Sequence, residues 1–161
     1  MINVIISILM LMNAVVCSVP DLPTDMKHYT DYRTYNIKGT AQYDLQQLAT
    51  TDELGFRRYN NDYIVAMGSF YTSEVGDRFY IHQTNDVSYT VITGDQKADI
   101  HTDPTNMYAP CINYNDEECA NVLEFIIDER VMENNCLNYG SVSYYEMFDA
   151  DIDTIIYLGR A

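Results

Sequence analysis

The sequence has no tryptophan, and its nine lysines and arginines face 24 aspartates and glutamates, a formal net charge of −15. Without a basic stripe the chain offers nothing to a phosphate backbone or an anionic lipid surface, so nucleic acid is excluded as a partner. No internal repeat and no low-complexity tract is present, which argues against a repeat architecture. No CxxC pair or cysteine–histidine spacing implies zinc, and no cofactor is expected. Wholesale disorder is excluded as well. The hydrophobic share is 47%, enough for a core in one domain of 161 residues. Fifteen tyrosines stand beside the absent tryptophan. Tyrosine suits β-strands and also stacks against sugar rings or partner surfaces.

The longest apolar run opens the chain, in MINVIISILMLMNAVVCSVPDLP. Residues 5–12 are apolar apart from Ser7, and Pro20 and Pro23 follow. The run is short for a membrane span and suits a signal-peptide core. No lysine or arginine precedes it; only the α-amino group is positive there. Residues 1–18 therefore read as a signal peptide, and the mature protein as secreted or cell-wall associated, without a membrane span. Val16 is bulky where a lipoprotein signal has a small residue, so lipid anchoring at Cys17 is disfavoured. Secretion permits disulfides. Cys111 and Cys119 lie in the polar, loop-like stretch CINYNDEEC and are expected to bond. Cys136 is then left unpaired if Cys17 departs with the signal.

Residues 19–34 are polar, contain two prolines, and read as a linker or an ordered N-terminal arm. From Tyr35 to the end the chain reads as a single domain of short β-like runs and turn signals. Six strands are predicted: TYNIKGTAQY, DYIVAMGSF, DRFYIHQ, VSYTVITG, NVLEFIID and DIDTIIYLG. Asn85-Asp86 marks a hairpin turn ahead of the fourth. DLQQLA at 44–49 and DERVMENNC at 128–136 read as short helices. Many strands and few helices point to a mainly β fold, a small barrel.

Two stretches carry candidate chemistry. In the fifth strand, Leu123, Phe125 and Ile127 share one face, and Glu124 lies on the other between Val122 and Ile126. If that face is covered, Glu124 is partly desolvated, which favours the proton-donating form of a carboxyl. If it is open, Glu124 is an ordinary edge glutamate. The second stretch, TGDQKADIHTD, holds Asp95, Asp99, His101 and Asp103. It reads as a metal site, as the rim of a substrate cleft with Asp99, His101 and Lys97 as ligand contacts, or as a solvated loop in which Asp103 is only a loop acid. Local triplets on one strand rarely converge on a single ion, and Pro104 ends any strand nearby, so no metal is assigned. His28 and His82 stand alone and read as surface or packing residues.

The order of these pieces resembles the three-aspartate (3D) domain, whose double-psi β-barrel is similar to that of MltA-type lytic transglycosylases and, more distantly, expansins. YIVAMGS resembles its valine-alanine strand and EVGDRFYI its glycine-and-strand element. TGDQKAD stands where the family has DTGG, with Asp95 as its aspartate, and ANVLEFII where it has NRIDLYF, with Glu124 in place of the last aspartate. NYGSVSYYEMF and DTIIYLG resemble its close. The likeness spans residues 35–159. It departs at Met67-Gly68-Ser69, where the family's first aspartate is absent, and in the insertion HTDPTNMYAPCINYNDEEC. The resemblance implies a six-stranded double-psi β-barrel with one or two short helices and a long loop insertion. It implies action on peptidoglycan or another polysaccharide, with Glu124 as the single acid/base and Asp95 assisting. The alternative is an expansin-like barrel that grips polysaccharide without cutting it, or a surface interaction module.

Overall fold

The computed structural model describes residues 14–161; the apolar run read as a signal-peptide core lies outside them. Among the described residues, eleven strands and two α-helices make the fold mainly β. The main sheet runs in the order β1 (Val15–Cys17), β11 (Ile152–Arg160), β6 (Asp77–Gln83), β7 (Ser88–Gln96), β5 (Asp62–Met67), β10 (Glu124–Ile127) and β2 (Tyr29–Asp31). The short strands β3 (Thr50–Thr51) and β4 (Arg57–Tyr59) attach beside β5. The expected six strands are thus eleven. The path ends at β1 and β2, and among the described residues no pairing joins those ends into a closed barrel.

Local patterning explains the long strands. In β6, Asp77, Phe79, Ile81 and Gln83 are buried while Arg78, Tyr80 and His82 are half-buried, the period of two that a one-sided strand requires. The central strands β5 and β10 are covered on both faces. On one side, Phe125 packs against Phe56 and Phe148, with ring centroids 5.5 and 4.8 Å apart, in the large core. On the other, Ile126 joins Ile64, Ile92 and Leu45 in a smaller cluster. Leu45 belongs to helix α1 (Ala41–Leu48), which lies over that face.

Three readings of local structure are corrected. The stretch TYNIKGTAQY is not a strand: residues 32–34 form a 3-10 turn, and Thr40 accepts a hydrogen bond from Tyr43 N and caps α1. The second helix is α2, at Asn134–Tyr139, and Val131 and Met132 ahead of it close a turn on Asp128. The insertion holds a separate hairpin of β8 (Ala109–Ile112) and β9 (Glu118–Asn121), where a plain loop was expected. Residues 19–34 pack into the molecule. Ala120 N donates to Pro23 O, Val142 N to Lys27 O, and Phe125 N to His28 O, which delivers β2 to β10 in parallel register.

Candidate functional site

The site is built on one row of residues across three strands. Glu124 of β10 pairs with Ala66 of β5, and Ala66 pairs with Asp95 of β7. Side chains in register point to the same face, here the face that α1 covers only in part. Ala66 is the small middle member of the row. Strand spacing puts the outer two about 10 Å apart at their Cα atoms. Asp95 and Glu124 therefore flank β5 rather than sit on neighbouring strands. Both line one cleft of about 480 Å³.

A bulge sets the direction of Asp95. Val65 pairs with Thr93, but the next residue, Ala66, pairs with Asp95, so Gly94 is the extra residue. Without it the alternation of β7 would send Asp95 to the opposite face. Gly94 is there because nothing larger fits: an added Cβ would lie 2.3 Å from Ile64 Cγ2 and 3.0 Å from Ile126 Cδ1.

Distant segments complete the walls. Thr30 of β2 donates its hydroxyl to Glu124 Oε1. Gln42 of α1 donates to Asp95 Oδ1 at 3.2 Å. Tyr35, just ahead of the helix, lines the cleft with its hydroxyl against Asp95. Burial, then the charges of Asp95 and Glu124, push that phenol up. Lys97 follows β7 and lines the cleft while only 7% exposed. Its Nζ donates to Asn121 O at 2.6 Å. Burial pulls its amine down to about 8, with Glu124 acting in the opposite direction. His28 stands close by; burial and then Lys97 lower its ring, and Glu124 opposes them.

The remaining expected residues separate. His101 lines the cleft from an exposed 3-10 turn, Asp99–His101. Asp99 is outside the lining, and Ser69 Oγ donates to it at 2.6 Å. Asp103 is a loop acid, but a buried one, and it organises the loop through its hydrogen bonds. Among the described residues no group of three or more histidines, cysteines and acids could hold a metal ion. Cys111 and Cys119 are bonded, as a directly opposed pair across β8 and β9 with Cα atoms 4.9 Å apart. Tyr35, Thr30, Gln42 and His28 were not singled out as site residues in the sequence. Their only signal was position in segments that read as a strand or an arm.

No family model, curated protein or solved structure matches this chain. Among the described residues no helix is long and apolar enough to cross a membrane.

Proposed function

We propose that the chain is an exported, glycan-acting domain of the double-psi barrel type, working on cell-wall glycan with Glu124 as the general acid/base. The observation that carries this reading is the row Glu124–Ala66–Asp95 beneath an open cleft. Two carboxylates face each other there over a small residue, with room between them for a sugar. Support for the barrel type comes from the parallel pairs β5 with β7 and β2 with β10. Parallel neighbours need a crossover connection, which is what a psi motif supplies.

In lytic transglycosylation one carboxylic acid protonates the leaving oxygen. As a carboxylate it then takes a proton from the sugar's own 6-hydroxyl, which closes a 1,6-anhydro ring without water. Asp95, held by Gln42, would stabilise positive charge near the oxocarbenium-like centre. Incubation with purified peptidoglycan is expected to release 1,6-anhydro products. Glu124→Gln should abolish release with the fold intact, and Asp95→Asn should reduce it less severely. If the parent protein releases no such product, the cleaving reading fails and binding without cleavage takes its place. One observation favours that second reading: Tyr114, 52% exposed, stacks on Tyr139 with ring centroids 4.1 Å apart, a surface aromatic pair of the kind that stacks on sugar rings.

A further inference from the structure

The chain has three lysines, and the fold buries two of them: Lys27 is 0% and Lys97 7% exposed. Lys38 is exposed in the turn ahead of α1. The two buried amines have opposite surroundings. Lys27 Nζ donates to the carbonyl oxygens of Thr24 at 3.1 Å, Phe148 at 2.8 Å and Ala150 at 2.7 Å. An ammonium has three N–H groups, so that cation is fully engaged, tying the N-terminal arm to the segment before β11. Lys97 Nζ has one hydrogen-bond partner among the described residues, Asn121 O. Lys97 lines the cleft, and two of its three N–H groups have no hydrogen-bond acceptor among the described residues. A buried ammonium with unsatisfied donors is costly in a protein interior. Lys27 avoids that cost with three protein acceptors, whereas Lys97 has one.

Several charged or titratable groups stand around Lys97. Glu124 of β10 and His28 of the arm before β2 interact with its charge, and Asp95 of β7 lines the same cleft. Tyr35 and His101 also line the cleft. Glu124 accepts the Thr30 hydroxyl on Oε1. Lys97 has N–H to give.

We propose that Lys97 and Glu124 act as an acid–base pair, with the amine as proton donor to the leaving oxygen and the carboxylate as acceptor from the attacking hydroxyl. This rests on the glycan-cleaving reading and replaces its single acid by two groups. The glycosidic C–O bond breaks with its electron pair on the leaving oxygen, which takes a proton from Lys97. The sugar's own hydroxyl oxygen forms the new C–O bond and gives its proton to Glu124. Lys97 is then neutral and Glu124 protonated. Transfer of one proton from Glu124 to Lys97 restores both groups, and no water is consumed.

Lysine labelled with 13C and 15N gives three side-chain signals, with Lys97 assigned through Lys97→Met. Lys97 is expected to titrate well below an ordinary lysine. Glu124→Gln should move Lys97 further down and leave Lys27 and Lys38 in place, which also reports an intact fold. No response of Lys97 to that substitution overturns the pair. In turnover on peptidoglycan, Lys97→Met and Lys97→Arg should both lose about 100-fold or more. A guanidinium keeps the charge but holds its proton too tightly to transfer it, so full activity in Lys97→Arg overturns the donor role. If the parent shows no turnover, the cleaving reading itself fails; coupling in the lysine titration is then the result that separates that failure from a failure of the pair.

Discussion

Asp103 is 7% exposed, and its carboxylate accepts from Met107 N at 2.8 Å, Tyr108 N at 3.0 Å, Thr105 N at 2.8 Å and the Thr105 hydroxyl. Burial opposes the charge, but the donors of Thr105, Tyr108 and Met107 outweigh it and hold the carboxyl below the usual range. The loop that leads from the cleft to β8 is wrapped around this one side chain. Asparagine keeps the shape but offers one oxygen acceptor in place of two. Asp103→Asn is therefore expected to cost about 1–3 kcal/mol, measured by urea denaturation, and an unchanged midpoint would contradict the role. Asp95 comes from the same short stretch and meets the opposite environment, half-buried at an open cleft beside the side chains of Gln42 and Tyr35. The stretch alone left three readings open because its residue types are the same in each. What separates them is where the bulge at Gly94 and the turn at Asp99–His101 send each side chain.

At the scale of elements, the bulge in β7 is the device that makes the site. Gly94→Ala would push a methyl into Ile64 and Ile126. It is expected to cost about 1–3 kcal/mol by overpacking and to disturb Asp95 more than Glu124. Denaturation curves and the carboxyl resonances of the two acids would show this; a variant with parent stability and unshifted Asp95 would contradict it. The long strands were legible from the sequence. DRFYIHQ became β6 without an error at either end, and VSYTVITG and DIDTIIYLG differ from β7 and β11 by one or two residues at each end. Elements that rely on distant partners were not legible. The strands β1 and β2 have three residues each, too few to show a period, and they exist because β11 and β10 pair with them. TYNIKGTAQY alternates like a strand, yet Thr40 ends that pattern and starts a helix. Asp95 and Glu124, singled out together from motif order, line one cleft. Thr30, Tyr35 and His28 were not legible, since parallel pairing of β2 with β10 brings them from far along the chain.

At the scale of the whole molecule, an excess of acid is managed by spending cations on structure. Arg78 holds Asp62 at 2.5 Å, Arg160 holds Asp77 at 3.0 Å, and Arg130 holds Asp128 at 2.7 Å. Although burial opposes them, Asp62 and Asp77 are lowered by these and neighbouring donors, and Asp128 is lowered first by Arg130. Their stabilisation is complete above the carboxylate value of the unfolded chain, about 4, and is lost as pH falls through the lower folded values. The buried lysines act at the other end. Burial pulls Lys27 and Lys97 down to about 8, whereas unfolded lysines keep their protons to about 10.5. Between those values the unfolded chain binds more protons, so stability rises with pH, by up to about 1.4 kcal/mol per pH unit for each lysine. The buried tyrosines and Cys136, whose protons the folded chain holds more tightly than the unfolded chain, pull the other way, so the lysine contribution is read as a difference: the stability of the parent relative to Lys97→Met is expected to increase from pH 8 to 9.5, and a difference that does not change with pH would contradict the burial of this amine.

The cleft over Ala66 is the feature on which the functional account depends, and it can be tested without turnover. A titration of the 15N-labelled protein with a soluble peptidoglycan glycan fragment maps contact residue by residue. The expected result is saturable shifts concentrated at Ala66, Asp95, Lys97 and Glu124, which line one cleft, and their loss when Ala66→Leu fills its floor. Shifts confined to Tyr114 and Tyr139, or none anywhere, would contradict a glycan site between Asp95 and Glu124.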